Sequence, residues 1–302
     1  MDYGPSTKNQ LSTVDCGPST VDHLTNIIPK KMSQKESIAI LGGGNMGLAL
    51  AKGLVKAGKY APGQITITRR NARALADMAD LGYQVTDDNA QAVAGAAIIV
   101  VAVLPQQLNT LLDAIQAQIN PAQHLVISIA SGVTVQDVIT RLGQEVQVVR
   151  AMPNTAIAIQ ESMTCVAAGT ASAENLLIVK ELFDTVGETI EIHEELMTSA
   201  TALCACGIAF FLRAIRAASQ GGVEIGFHAA EALHMAAQTA KGAAALLLTN
   251  HSHPENEIDK VTSPRGCTIA GLNEMEHEGF SSALIKGIRL SSVKAGNLYV
   301  KE

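Results

Sequence analysis

The stretch Ile38-Ala39-Ile40-Leu41-Gly42-Gly43-Gly44-Asn45-Met46-Gly47 decides how the rest of this chain is read. Four apolar residues run into Gly-x-Gly-x-x-Gly, and Leu48, Ala49, Leu50, Leu54 and Val55 then recur at helical spacing. Strand, turn and helix in that order make a dinucleotide-binding turn. Gly42 permits the tight bend, Gly44 lets a pyrophosphate reach bare backbone, and Gly47 lets helix and strand pack closely. Asn45 and Met46 open the helix, whose N-terminus faces the negative charge.

The next strand, Gln64-Ile65-Thr66-Ile67-Thr68, ends where an NAD-binding chain usually carries an acidic residue for the ribose hydroxyls. Here it continues Thr68-Arg69-Arg70-Asn71. A carboxylate would repel a 2′-phosphate, whereas a hydroxyl and two guanidiniums bind it, so the expected cofactor is NADP(H), preferred over NAD(H). The other reading leaves Arg69 and Arg70 as solvated turn residues.

Alternation continues from there. Helices are expected over 71–81, 90–94 (beginning near Asn89), 108–119 and 135–142, and strands over 84–86, 96–103, 125–129 and 147–152. Two more strands, near 162–168 and 187–192, flank a helix at 173–186. This pattern predicts an α/β fold, an N-terminal Rossmann-type doubly wound parallel sheet over 35–193. Ligands of such sheets lie at the carboxyl ends of the strands. Three ends converge there: Ala102-Val103-Leu104-Pro105-Gln106, Ile129-Ala130-Ser131-Gly132 and Met152-Pro153-Asn154-Thr155. Pro153-Asn154-Thr155 reads equally as a plain turn.

From Glu194 the pattern turns helical, giving an all-α dimerisation domain over 194–302, with helices expected at 194–204, 207–221, 227–249, 255–261, 268–278 and 280–302. The segment Ala229 to Leu248 is apolar around most of its circumference, with only Glu231, His234 and Lys241 titratable. Burial on several sides would follow, and with it an intertwined homodimer. A second constellation, Val261-Thr262-Ser263-Pro264-Arg265-Gly266-Cys267-Thr268, enters a helix at Ile269. Amides and hydroxyls meeting at a helix N-terminus can bind a carboxylate. The same chemistry serves an ordinary N-cap with Thr268 as capping residue.

Composition narrows the classes. The 302 residues carry a net charge of −6, 47% hydrophobic residues and a mean hydropathy of +0.20. No basic stripe with interleaved aromatics points to nucleic acid, and no stretch runs about eighteen residues free of charge, so no membrane span is expected. The five cysteines, Cys16, Cys165, Cys204, Cys206 and Cys267, read as free thiols of a reducing, cytoplasmic compartment. Neither Cys204-x-Cys206 nor His251-x-His253 has the spacing of a metal site. Residues 1–34 lack apolar runs and read as a disordered extension, with Met32 as a natural start and no signal or transit peptide.

Together these residues resemble pyrroline-5-carboxylate reductase, the last enzyme of proline biosynthesis. The likeness spans about residues 36–298. It rests on the glycine turn, Ala102 to Gln106, Arg150-Ala151-Met152-Pro153-Asn154-Thr155, Thr201-Ala202-Leu203, and the segment from Val261 through Gly266 and Thr268. The last two are the specific ones. The resemblance implies NADPH-dependent reduction of Δ1-pyrroline-5-carboxylate to L-proline by a homodimer or a decamer of five dimers. It places Ser263, Gly266, Cys267 and Thr268 around the substrate carboxylate and ring nitrogen, with Thr268 as the catalytic hydrogen-bonding group and Glu194 or Glu195 at the acidic substrate-side position. It places Asn89 by the adenosine, and Ala102 to Pro105 with Ile129 to Ser131 by the nicotinamide. Departures are Cys204-Ala205-Cys206-Gly207-Ile208 where the family usually has Ser-Gly-Ser-Gly-Pro, Leu104 where Lys is commoner, and Arg265 and Cys267 in the loop. Two rival readings stand beside it. Another NADP-dependent imine or β-hydroxyacid reductase would need a catalytic lysine, for which Lys241 and Lys260 are candidates. A non-catalytic NADPH-binding regulator would bind cofactor without turnover.

Overall fold

In the computed structural model, which describes residues 37–299, the opening apolar stretch forms β1 (Ile38–Leu41) and the helix after the glycine turn is α1 (Asn45–Lys56). The reading of residues 1–34, Cys16 and Met32 included, lies outside the described residues. The chain continues through β2 (Ile65–Thr68), α2 (Ala76–Asp80), β3 (Gln84–Thr86), α3 (Asn89–Ala94), β4 (Ile98–Val101) and α4 (Leu108–Ile115). Then come β5 (Leu125–Ser128), α5 (Val135–Leu142), β6 (Gln147–Met152), β7 (Ser162–Ala167), α6 (Ala173–Asp184) and β8 (Gly187–Glu191).

The strands form one sheet in the order β3-β2-β1-β4-β5-β6-β7-β8. β1 lies between β2 and β4, and every residue of β1 and β4 is buried, as helices on both faces of a parallel sheet require. On one face Ala39, Leu41, Ile99 and Val101 pack with Leu108 and Leu112 of α4 and Val138 and Leu142 of α5. Each of the valines, leucines and isoleucines contributes about 1.5–3 kcal/mol on burial. On the other face α1 packs against a 3₁₀ turn at Thr155–Ile159, so closely that a Cβ at Gly53 would lie 2.5 Å from the Ile157 carbonyl.

Two sequence expectations change here. β7 runs antiparallel to β6, and β8 parallel to β7, so the sheet is not parallel to its edge. Residues 153–161 are too few for the crossover a parallel return needs, and the chain turns straight back. The helix expected over 71–81 divides into a 3₁₀ segment, Ala72–Leu75, and the short α2.

The helical half opens with a 3₁₀ turn (Glu194–Leu196), α7 (Met197–Ala200) and a π turn (Thr201–Ala205), where one continuous helix to Cys204 is expected from sequence. Then follow α8 (Gly207–Glu224), α9 (Ala229–Asn250), α10 (Pro254–Lys260), α11 (Cys267–His277) and α12 (Phe280–Ala295). α8 packs on α9 where Gly222 meets Ala232, a Cβ there lying 2.9 Å from the alanine methyl. The apolar stretch of α9 is not buried within one chain: only Ala232 is, and Leu233, Met235, Leu246 and Leu248 are exposed. Phe211, Leu212, Ile285, Leu290 and Val293 of α8 and α12 are exposed too. The helical run Glu194–Glu224 is long and apolar enough to cross a membrane by length and composition, and 28% of its most apolar window is buried. α12 stops at Ala295, short of the expected 302, and the chain folds back so that the Tyr299 hydroxyl donates to Asn109 at 2.7 Å.

Candidate active site

At the carboxyl ends of β1 and β4 the sheet order changes direction, and the glycine turn meets the loop after β4 there. Gly42 has φ +120°, and a Cβ on it would lie 2.5 Å from the Ala102 carbonyl oxygen. A Cβ on Gly47 would lie 2.1 Å from the Gly42 oxygen. These two glycines are demanded by close approach. Gly44 differs: it is exposed, and a Cβ there would meet nothing within 4 Å. It is the N-cap of α1 without a side-chain cap, so the first amides of α1, from Asn45 through Gly47, have no intrahelical acceptor, and the space beside Gly44 is open. A pyrophosphate fits a cradle of this kind.

At the end of β2 the buried Thr68 hydroxyl donates to the Asn89 carboxamide oxygen at 2.6 Å, and the Arg69 amide donates to the Thr86 carbonyl at 3.1 Å. The Arg69 and Arg70 side chains are exposed and outside the ion pairs of the described residues. The structure therefore brings Thr68 and Asn89 together and leaves two cations beside them.

Ala102 and Val103 are half-buried, Leu104 is 64% exposed and Pro105 is buried. Ile129 and Ala130 are buried, and the Ser131 hydroxyl donates weakly to the Met152 sulfur at 3.9 Å. Asn154 is buried and occupied on all sides. Its amide donates to the Ser162 hydroxyl, its Oδ1 accepts from Ala156, and its Nδ2 donates to the Cys204 carbonyl at 3.4 Å. It ties the end of β6 to the π turn.

Glu194 is placed as a strut between the two halves of the chain. Its Oε1 accepts the Val135 amide at 2.7 Å, at the start of α5, and the Arg150 guanidinium at 3.2 Å. Burial pushes the Arg150 guanidinium below its ordinary value, and the hydrogen bond and charge of Glu194 oppose that loss. Glu195, the other acidic candidate, is exposed. The motif Arg150-Ala151-Met152-Pro153-Asn154-Thr155 does not by itself mark Arg150 as the partner of an acidic residue. The available signal was a cation inside the apolar run Val148-Val149-Arg150-Ala151, since a buried charge needs a partner.

In the second loop the Gly266 amide donates to the Ser263 carbonyl at 2.9 Å, and Arg265 adopts φ +60°. A Cβ on Gly266 would lie 2.5 Å from the Ser263 hydroxyl oxygen. The N-cap of α11 is Gly266, with no side-chain cap, and not Thr268. Thr268 sits half-buried inside the first turn, so its hydroxyl is not spent as the cap. Ser263 and Cys267 are exposed. Among the described residues no hydrogen bond joins 263–268 to the crevice of the sheet, and α11 packs chiefly on α12.

Residues 194–298 match the family described as pyrroline-5-carboxylate reductase dimerisation, and residues 37–132 match the NADP oxidoreductase, coenzyme F420-dependent, family. The chain is 50% identical to pyrroline-5-carboxylate reductase 1 of Dictyostelium discoideum, over 88% of this chain and 50% of that one, so it spans half that relative's length. It is 47% identical to reductase 2 of the same organism, over 89% of this chain and 95% of that one. Among solved structures, the Streptococcus pyogenes 1-pyrroline-5-carboxylate reductase superposes with a TM-score of 0.80 at 28% identity, covering 88% of this chain and 100% of that one. The Plasmodium falciparum pyrroline carboxylate reductase with NADP bound superposes at 0.80 and 23% identity, covering 88% and 99%.

Proposed function

This chain belongs to the pyrroline-5-carboxylate reductase family, and from that premise we propose that it reduces Δ1-pyrroline-5-carboxylate to L-proline. NADPH, when bound, supplies the hydride that reaches the C=N carbon, and the ring nitrogen takes a proton. The observation that carries this reading is the uncapped start of α1 at Gly44, facing open space at the switch point between β1 and β4. The amides there hold the pyrophosphate, and Arg69 and Arg70 hold a 2′-phosphate, which is the basis for preferring NADP(H) over NAD(H). Ala102 to Pro105 and Ile129 to Ser131 line the nicotinamide side, with Asn154 bracing the wall behind them.

The uncapped start of α11 offers the substrate carboxylate the amides of Cys267 and Thr268 beside the Ser263 hydroxyl. Thr268 hydrogen-bonds the ring nitrogen. An imine is basic enough to be partly protonated near neutrality, so the protein contributes orientation more than a strong acid. Lys260, a candidate under the rival reductase reading, is held by Glu257 at 2.7 Å.

The exposed apolar side chains of α8, α9 and α12 form the face on which a second copy packs, which accounts for the apolar run Glu194–Glu224 without a membrane. The assembly we propose is a homodimer, with a decamer of five dimers as the larger form, and its free thiols suit the cytoplasm. Purified protein given NADPH and Δ1-pyrroline-5-carboxylate should oxidise the nicotinamide and yield proline. Thr268→Ala should lower kcat about 10-fold or more while leaving the NADPH Kd nearly unchanged. Loss of NADPH binding in that variant, or binding without turnover in the unaltered protein, would overturn the reading.

A further inference from the structure

The reaction leaves one cluster unused. Cys165 and Cys204, 39 residues apart in sequence, place their sulfur atoms 3.7 Å from each other as free thiols. Cys165 lies on β7 opposite Met152 of β6 and is 4% exposed. Cys204 is half-buried on the π turn that opens the helical half. Both pack in one apolar cluster with Met152, Met197 and Ala200. We infer that Cys165 and Cys204 form a peroxide-sensitive modification site, a dithiol that closes reversibly to a disulfide and fastens the π turn to the sheet.

Three observations converge on this. A disulfide needs its sulfurs at about 2.05 Å, so closure asks for a movement of about 1.7 Å, within reach of a side-chain rotation on a π turn. The turn is held there by the Cys206 amide bonded to the Thr201 carbonyl at 2.8 Å, a wider ring than an α-helix closes. The contact also divides the labour between the thiols. The hydrogen bond from Cys165 lowers the Cys204 thiol against the opposing pull of burial, while Cys165 is raised by that same bond, by burial and by the neighbouring charge. The accessible member is thus the nucleophile, and the buried member keeps its proton until the second step. Cys206 and Cys267 are free thiols too, and among the described residues the sulfur–sulfur pair is Cys165 with Cys204.

The chemistry balances with a hydroperoxide as oxidant. The Cys204 thiolate attacks the O–O bond, an S–O bond forms, and hydroxide or alkoxide leaves and takes up a proton. The Cys165 sulfur then attacks the Cys204 sulfur, the S–O bond breaks, and the departing hydroxide carries off the Cys165 proton as water. Two thiols lose two electrons in total, and the peroxide is reduced to water or to water and an alcohol. The bond would join β7 to the π turn beside Met152, the last residue of β6. Asn154 donates to the Cys204 carbonyl, and Ser131 reaches Met152, which faces Cys165 across the β6–β7 pairing. Fixing the π turn there restrains both walls, so the closed form should turn over more slowly.

The test uses the full chain, reduced, exposed to graded hydrogen peroxide, blocked with N-ethylmaleimide and analysed by peptide mass spectrometry beside NADPH turnover. A Cys165–Cys204 linked peptide, lighter by two hydrogens, should rise as turnover falls about fivefold or more, and dithiothreitol should reverse both. Cys204→Ser and Cys165→Ala should each hold the ratio of oxidised to reduced activity near one. Inactivation without that peptide, or a link formed instead to Cys206 or Cys267, overturns the inference, as does a linked enzyme with undiminished turnover. The effect on turnover rests on the proposed reaction, but the linked peptide does not. A reduced protein inactive on pyrroline-5-carboxylate would sink that reaction and leave the dithiol standing.

Discussion

Adding one methyl group at Gly44 should separate cofactor binding from folding. The backbone there has φ −88° and ψ −171°, which alanine adopts freely, and a Cβ meets no atom within 4 Å. Alanine in place of glycine at an N-cap costs up to about 1 kcal/mol, and a stiffer unfolded chain returns about 0.4–1 kcal/mol, so the net is near zero. The melting temperature of Gly44→Ala should then stay within about 3 °C of the parent. Binding should respond differently, because the methyl fills the space through which a pyrophosphate reaches the α1 amides. Two charge-assisted hydrogen bonds lost at about 1.5–3 kcal/mol each remove about 3–6 kcal/mol, or about 150-fold in Kd at the lower end. The control is Gly42→Ala, where φ is +120° and the Cβ would sit 2.5 Å from the Ala102 oxygen. Strain and backbone overlap there should cost about 3 kcal/mol and lower the melting temperature by about 6–12 °C. Calorimetric titration with NADPH and differential scanning calorimetry read the two effects. A Gly44→Ala protein that binds NADPH within about threefold of the parent, or that melts as early as Gly42→Ala, refutes the reasoning.

Two further substitutions test the neighbouring assignments. Glu194→Ala leaves the Arg150 side chain, 5% exposed, without its hydrogen-bond partner and with only the charge of Asp137 opposing burial, and it removes the acceptor of the Val135 amide. Because the Glu194 side chain is itself 35% exposed, the loss should be about 2 kcal/mol in urea unfolding, against less than about 0.5 for Glu195→Ala. Equal losses would remove Glu194 as the strut. Replacing Arg69 and Arg70 together by serine should weaken NADPH about 10- to 100-fold while leaving NADH nearly unchanged. Equal weakening of both cofactors would contradict a role in holding the 2′-phosphate.

What the residues alone determined was whatever rests on short-range geometry. α5 falls on the expected residues because Thr134 and Asp137 close a capping box at one end and Gly143 ends it at the other, and β6 falls on its expected residues as a run buried from Val148 to Met152. The glycine turn was readable from its local spacing, in which Gly47 packs on the Gly42 oxygen, although the contact that demands Gly42 itself is the distant Ala102 carbonyl and Gly44 meets no atom within 4 Å. Tertiary structure alone decided the reversal of β7, set by how little chain joins it to β6. It also decided where polar groups spend their hydrogen bonds. Thr68 finds Asn89 across 21 residues, Arg150 finds Glu194 across 44, and Asn154 finds Cys204 across 50. The N-cap of α11 at Gly266, rather than Thr268, is by contrast a local matter, set by the Gly266 amide turning back three residues to Ser263. A propensity is a property of neighbours along the chain, whereas the partner of a buried polar group is chosen only when distant segments close on each other and exclude water.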